Sequence, residues 1–168
     1  MRYRIKRKQP NSKMCLVCGL QNSLGLRAAF YELENDELLA IFRPLHEHQG
    51  YPGRLHGGMA LAILDETIGR AIMINNSEDI WGVTIEFTSR FRQAVPLNEE
   101  IRVTARITTD GRRMFEGAGE IILKDGSVAV VGRGKYLKYP IDKIADFGEE
   151  DLGWGVVPFS DDPDDVEL

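Results

Sequence analysis

One stretch of this chain limits the folds open to it more than any other. Residues 57–75, GGMALAILDETIGRAIMIN, contain no proline and no cluster of turn-forming residues. This length predicts a helix of about five turns, which Asn75-Asn76-Ser77 then ends. Apolar residues occupy most of its circumference, and a helix of this kind is buried on most sides. We therefore expect one central helix that the rest of the chain covers.

After this helix the sequence alternates with a period of two, which is typical of a half-buried strand. The positions predicted to share the apolar face are Val83, Ile85, Phe87 and Phe91. The positions predicted to share the polar face are Thr84, Glu86, Thr88, Arg90 and Arg92. Pro96-Leu97-Asn98 ends this strand.

Further strands are predicted near residues 101–109, 113–124 and 127–138, because Asp110-Gly111 and Asp125-Gly126 are strong hairpin signals. Leu24–Leu33 and Glu37–Arg43 form an earlier pair with a turn at Asn35-Asp36. A sheet with one apolar face has to cover an apolar element. The sequence therefore predicts an α+β fold in which an antiparallel sheet wraps around one helix, and exposed sheet edges favour oligomerisation.

Length and charge indicate a single globular domain. The 168 residues are 43% apolar and 28% charged, and the formal net charge of −5 gives no attraction to nucleic acid or to anionic membranes. We expect residues 1–13 to be a basic, flexible arm, residues 14–140 to be the domain, and residues 141–168 to be an acidic extension, irregular or disordered. No secretory signal or membrane span is recognisable, so a cytoplasmic location is expected.

Two possible metal-binding patterns occur. Cys15 and Cys18 form a single C-x-x-C pair, whereas a zinc site usually needs two more ligands. Structural thiols are the preferred interpretation, with a redox pair or a metal site as alternatives. His46-Glu47-His48 precedes a loop rich in glycine and proline and is not favoured as a metal site. The sequence therefore predicts no metal and no cofactor.

The start of the predicted helix has a composition suited to binding an oxygen atom. Gly57 and Gly58 follow His56, and the first amides of a helix lack partners within it and lie at the positive end of its dipole. Glycine lets another molecule approach this backbone closely, which is what an oxyanion site requires. The alternative is a turn that needs two glycines.

Asp65 lies on an apolar face of the same helix, where an ionised carboxylate is costly to desolvate without partners. Glu66 differs because it is able to pair with Arg70, four residues later, in a solvated arrangement. Asp65 is therefore the candidate catalytic group and Glu66 the structural one. The alternative for Asp65 is a loop cap or an oligomer contact.

Together these residues resemble a known family. Leu55-His56-Gly57-Gly58, followed by Leu64-Asp65-Glu66, is similar to the signature of the PaaI-type hotdog acyl-CoA thioesterases. The resemblance extends to Cys15-Leu16-Val17-Cys18-Gly19 upstream and to Gly82-Val83-Thr84 and the segment 91–96, FRQAVP, downstream. It covers about residues 14–138.

The resemblance implies a hotdog fold, a homodimer or homotetramer, and active sites at the dimer interface that hydrolyse acyl-CoA. Asp65 would act as general base or nucleophile, and the Gly57 amide would polarise the thioester carbonyl. His56 would lie near the carbonyl or the leaving sulfur, and Thr84 would orient water. Some relatives carry an asparagine before the motif, whose role would pass to Gln49 in this chain. The residues assigned to substrate binding are Gly58, Glu66, Arg90 and Arg92, and the alternative for the two arginines is the solvated face of the sheet.

Two other functions compete with hydrolysis. Hotdog domains also bind acyl-CoA without turning it over, often beside a DNA-binding segment, but the residues before Cys15 are too few for a helix-turn-helix. Hydratases of the same fold pair an aspartate with a histidine in a differently spaced motif, which this sequence lacks. Retention of Asp65 favours the thioesterase.

Overall fold

The computed structural model describes residues 1–77, 79–144 and 153–168. Helix α1 runs from Gly57 to Arg70 and continues as a 3-10 turn over Ala71–Ile74. The predicted helix is therefore confirmed, with a tighter last turn. Within the described residues, no helix combines the length and the apolar character needed to span a bilayer.

The strands form one antiparallel sheet. Their bounds are β1 Arg2–Lys8, β2 Ala29–Leu33, β3 Leu38–Phe42, β4 Ile80–Phe91, β5 Ile101–Asp110, β6 Met114–Ile122, β7 Val128–Pro140 and β8 Asp165–Glu167. The order across the sheet is β4-β7-β6-β5-β3-β2-β1-β8. Helix α1 packs against β3 to β7, so the predicted α+β arrangement is confirmed.

The core lies between the helix and the sheet, where Ile63, Leu64 and Ile68 of α1 are completely buried. Glycines on the facing strands allow the close approach. A Cβ atom added to Gly119 would lie 2.8 Å from the carbonyl oxygen of Thr104 and 3.1 Å from Ile68. The glycines of the sheet therefore help to determine the distance between the helix and the sheet.

Strand β4 contains a bulge that changes which side chains face the helix. Thr84 pairs with Tyr136 and Glu86 with Lys135, so one extra residue, Ile85, stands between the two pairs. A bulge reverses the alternation of side chains beyond it. Thr84 and Phe87 consequently both face α1, whereas Ile85 is half exposed. The prediction that Ile85 shares a face with Phe87 is therefore wrong.

The predicted flexible arm at residues 1–13 is also wrong, because residues 2–8 form β1 between β2 and β8. Tyr3 and Ile5 pack against a small apolar cluster that includes Val166. The basic and acidic ends of the chain pair directly, through Arg2 with Asp165. Charge complementarity between the two ends and strand pairing thus outweigh the solvation of an isolated basic run.

The acidic extension is described in part. Residues 145–152 lie outside the described residues. Beyond them, β8 extends the sheet, Phe159 packs beside the ammonium group of Lys8, and Trp154 contacts Trp81 with ring centroids 4.6 Å apart. Residues 153–164 form turns and extended segments with an isolated bridge at Gly155, and the short strand β8 follows them.

Candidate active site

The Asp65 carboxylate is held by two hydroxyl groups from neighbouring strands. Thr84 Oγ1 of β4 donates to the carboxylate and lies 2.9 Å from Oδ1 and 3.1 Å from Oδ2. The hydroxyl of Tyr136, on β7, donates to the same carboxylate and lies 3.1 Å from Oδ1. The structure therefore brings together Asp65 and Thr84, two of the candidate site residues, and adds Tyr136 to them.

Tyr136 is the residue that sequence reasoning missed. Tyr136 is completely buried, and its ring stacks on that of Phe115 with the ring centroids 4.9 Å apart. Its hydroxyl also lies 3.2 Å from the backbone oxygen of Asp65. One signal in the sequence was available: Gly134 lies two residues earlier on the same face of β7, and a Cβ atom there would collide with the Tyr136 side chain. A glycine two residues before an aromatic residue in a strand leaves room for the ring.

A close contact between α1 and β4 places Asp65 within reach of Thr84. A Cβ atom on Gly82 would lie 2.6 Å from the Phe115 ring and 3.2 Å from the backbone oxygen of Gly69. Because both Gly69 and Gly82 lack side chains, the helix and the strand approach each other just beyond Asp65. The bulge then directs Thr84 toward the helix.

Burial raises the pKa of the Asp65 carboxyl above its ordinary value, and the charge of Glu66 adds to this effect. Hydrogen bonds from Thr84 and Tyr136 oppose it by stabilising the carboxylate. Burial also raises the pKa of the Tyr136 phenol, and the nearby charge of Asp65 raises it further. The phenol therefore stays protonated and donates to Asp65.

A pocket of about 240 Å³ opens beside the carboxylate. Its lining consists of Ser12, Cys15, Cys18, Asp65, Glu66, Gly69, Arg70, Met73, Trp81, Gly82, Thr84 and Trp154. Asp65 and Thr84 form the polar part of one wall, and the two tryptophans form an apolar wall. The larger cavity of about 720 Å³ elsewhere on the chain is lined by residues such as Arg43 and Glu100, and none of the predicted site residues lines it.

Glu66 is held by other partners than Asp65. Its Oε1 accepts a hydrogen bond from Arg70 Nε at 2.9 Å, which confirms the predicted pair. The pair is not solvated as expected, however, since the Arg70 side chain is 6% exposed. The other oxygen, Oε2, lies 3.1 Å from Cys15 Sγ. The assignment of Glu66 to substrate binding stays a prediction.

The residues of the His-Gly-Gly motif lie at the exposed start of α1. His56 caps the helix, and its Nδ1 accepts a hydrogen bond from the Gly58 amide at 2.9 Å. This places the ring proton on Nε2. Within the described residues, no acceptor is found for the Gly57 amide. Gln49 lies in the preceding loop, where its side-chain oxygen accepts from the Gly53 amide at 3.2 Å.

Asp65 and Gly57 of one chain are not close to each other. They are eight positions apart on a helix, which corresponds to about 12 Å along its axis. A single copy of the chain therefore does not bring the carboxylate and the helix-start amide together around one small group.

Arg90 and Arg92 are exposed around the end of β4. Phe91, which lies between them, is half exposed, and its ring is 3.6 Å from where a Cβ of Gly57 would lie. The two arginines thus belong to the helix-start end of the domain. Their assignment to substrate binding stays a prediction.

One central helix packed on an antiparallel sheet, with a carboxylate on the helix facing a pocket, defines a hotdog domain. The family model for the thioesterase superfamily matches residues 52–130, which include His56, Asp65 and Thr84. Over these residues the chain is therefore similar to the thioesterase superfamily. No curated protein matches the chain by sequence.

Solved structures agree with this assignment. A thioesterase superfamily protein is 26% identical with a TM-score of 0.67, and the alignment covers 73% of this chain and 59% of that one, so this chain spans less than two thirds of its length. A Haemophilus influenzae thioesterase is 17% identical with a TM-score of 0.65, over 74% of this chain and 86% of that one. A Streptococcus pneumoniae hypothetical thioesterase, crystallised with coenzyme A, is 16% identical with a TM-score of 0.56, over 62% and 82%. The last two show a shared fold.

The hydrogen bonds of Tyr136 predict a measurable cost when its hydroxyl is removed. Tyr136→Phe keeps the stacked ring but removes the hydroxyl that donates to Asp65, so the free energy of unfolding should fall by about 1 kcal/mol. Urea denaturation at matched protein concentration measures this change. Tyr139→Phe is the control on the same strand, because that side chain is 41% exposed. Equal effects of the two substitutions would show that the Tyr136 hydroxyl does not support Asp65.

Proposed function

We propose that this chain is a PaaI-type hotdog thioesterase that hydrolyses acyl-CoA, with Asp65 as its catalytic carboxylate. The observation that supports this best is the arrangement of Asp65, which is half buried, held by Thr84 and Tyr136, and exposed to a pocket. Within the part of the chain that the structure describes, no cation pairs with Asp65, and a carboxylate in that position is costly to maintain. A group of this kind on a pocket wall is typical of a catalytic base.

The proposed reaction consumes one water and yields a free acid and coenzyme A. With Asp65 as general base, the carboxylate takes a proton from water while the water oxygen bonds to the thioester carbon. The tetrahedral intermediate then collapses, the carbon–sulfur bond breaks, and the thiolate leaves and takes up the proton. With Asp65 as nucleophile, its oxygen displaces the thiolate to form an anhydride, which water then hydrolyses. The hydroxyl of Thr84 keeps the carboxylate in one orientation in both routes.

Polarisation of the carbonyl is assigned to the start of α1. The Gly57 amide is exposed, has no acceptor within the described residues, and lies at the positive end of the helix dipole. A negative charge that develops on the thioester oxygen is stabilised by such a donor. His56 Nε2, which carries the ring proton, is a second donor beside it.

The separation of Asp65 from Gly57 supports a site built from two copies of the chain. Because about 12 Å of helix separates them, the amide that serves Asp65 has to come from another subunit. A two-fold axis would create two equivalent sites, each with Asp65 from one subunit and Gly57 from the other. We therefore propose a homodimer, alone or within a homotetramer, as the active form.

We assign the acyl group and the coenzyme A part of the substrate to two different surfaces of the domain. The acyl group would enter the pocket beside Met73, Trp81 and Trp154, and the phosphates of coenzyme A would lie near Arg90 and Arg92 at the helix-start end. The hotdog domain of the Streptococcus pneumoniae protein, which was crystallised with coenzyme A, is a precedent for binding by this fold.

Replacement of the carboxylate provides the first test. Asp65→Asn keeps an oxygen that accepts from Thr84 and Tyr136 but removes the base, so turnover of acyl-CoA should fall by about 100-fold or more. A panel of short, long, branched and aromatic acyl-CoAs, with release of the thiol as the readout, measures the loss. Glu86→Gln is the control, because Glu86 is exposed on β4 and pairs with Lys135.

Two results would contradict this assignment. Full turnover by the folded Asp65→Asn protein would exclude Asp65 as the catalytic group. A wild-type protein that binds acyl-CoA but hydrolyses none of the panel would instead identify the chain as a noncatalytic acyl-CoA-binding module.

The Gly57 amide is tested by a substitution that removes only its hydrogen. Proline is well tolerated at the first position of a helix, and His56 has an extended backbone (ψ 135°) that suits a following proline. Gly57→Pro should therefore fold but lower kcat by about 100-fold, since one oxyanion donor is lost. Gly57→Ala keeps the amide, and its Cβ meets only the Phe91 ring, so it should lose far less activity. Equal kcat values for the two variants would contradict the proposed role.

A further inference from the structure

Cys15, Cys18 and Glu66 form a cluster that the proposed reaction does not use. One ligand atom from each of the three lies within 4.8 Å of the other two. The two sulfurs come from the segment before β2, and the carboxylate comes from α1, next to Asp65. We propose that this cluster binds a thiophilic divalent cation of the Zn²⁺ type. The third ligand is distant in sequence, which is why the C-x-x-C pair did not predict a site.

The loop around Cys15 places two backbone amides against its sulfur, and the thiol itself donates to Glu66 Oε2. The backbone amides of Val17 and Cys18 point to Cys15 Sγ at 3.3 Å and 3.5 Å. Gly19 makes this tight loop possible, because a Cβ atom there would lie 2.6 Å from the Cys15 nitrogen. A metal ion that replaces the thiol proton would leave both amides donating to the bound sulfur, because metals bind the thiolate form.

Glu66 is oriented as metal-binding carboxylates usually are. Arg70 Nε binds Oε1, which directs Oε2 toward Cys15. Arg70 is itself fixed, because its Nη1 donates to the backbone oxygen of Pro10 at 2.9 Å and its guanidinium packs between the rings of Phe30 and Trp154. A partner that holds one oxygen of a ligating carboxylate is a common support for a metal site.

The charges and distances suit a cation of charge +2. Two thiolates, one carboxylate and the Arg70 guanidinium together carry two negative charges, which Zn²⁺ neutralises. Tetrahedral Zn²⁺ requires separations of about 3.8 Å between two sulfurs and about 3.6 Å between sulfur and oxygen. The observed separations, from 3.1 Å up to at most 4.8 Å, meet these values after side-chain shifts of about 1 Å.

The surroundings of the cluster also indicate what would occupy the fourth coordination position of the metal ion. Cys15, Cys18 and Glu66 all line the pocket that Asp65 borders. Three protein ligands and one position open to a pocket leave room for a water molecule. Thiolate ligands favour Zn²⁺ over Mg²⁺ and Ca²⁺, so the site selects against the commoner divalent cations.

Metal titration of the reduced, chelator-treated wild-type chain tests this proposal without any substrate. Zn²⁺ should bind with one ion per chain, and Co²⁺ should give the near-ultraviolet charge-transfer bands of thiolate coordination. Cys15→Ser and Cys18→Ser should lose most of these bands. Glu66→Gln should weaken Zn²⁺ binding by about tenfold or more, whereas the matched control Glu86→Gln should bind as the wild type does.

Three results would overturn the site. These are no saturable Zn²⁺ binding by the wild-type chain, cobalt bands that persist in Cys15→Ser or Cys18→Ser, and an unchanged affinity in Glu66→Gln. The wild-type and Glu66→Gln measurements decide the matter even if the cysteine variants fail to fold. Because no step uses acyl-CoA, an absence of thioesterase activity leaves the metal result intact.

Discussion

The arrangement of this domain depends on holding one carboxylate, Asp65, partly out of water. Such a group is unfavourable unless donors replace the lost solvent. Two hydroxyls from different strands do this, and neither carries a charge that would neutralise the carboxylate. Burial raises the pKa of the Asp65 carboxyl, and the hydrogen bonds from Thr84 and Tyr136 oppose this rise by stabilising the carboxylate. Loss of either strand's register would remove a donor.

Several backbone features serve that requirement together. The bulge at Ile85 turns Thr84 to the helix, Gly69 and Gly82 let helix and strand approach, and Gly134 leaves room for the Tyr136 ring. None of these features contributes a functional group to the site. The glycines allow close contacts that a side chain would prevent, and the bulge changes which side chains face the helix. The site is thus specified largely by positions at which the sequence has a glycine or an additional residue.

The central helix and the main strands could be predicted from periodicity, and Asp65 could be selected because a carboxylate on an apolar face needs an explanation. Tyr136 could not be selected, because a tyrosine in an alternating strand is an ordinary core residue until its hydroxyl is known to meet Asp65. The bulge at Ile85 could not be predicted, because a strict period of two assumes that no extra residue interrupts the strand. The N-terminal strand was missed because one of its two partners, β8, lies at the acidic end of the chain, more than 150 residues away.

The two-subunit site is the claim on which the enzymatic account rests, and mixed dimers test it most directly. Differently tagged Asp65→Asn and Gly57→Pro chains are co-expressed, and the heterodimer is isolated with both tags and assayed on acyl-CoA. If each site combines Asp65 of one subunit with Gly57 of the other, one of the two sites in the heterodimer is intact. The heterodimer should then recover about half of the wild-type turnover, although both parents are nearly inactive. A heterodimer as inactive as its parents would contradict the account.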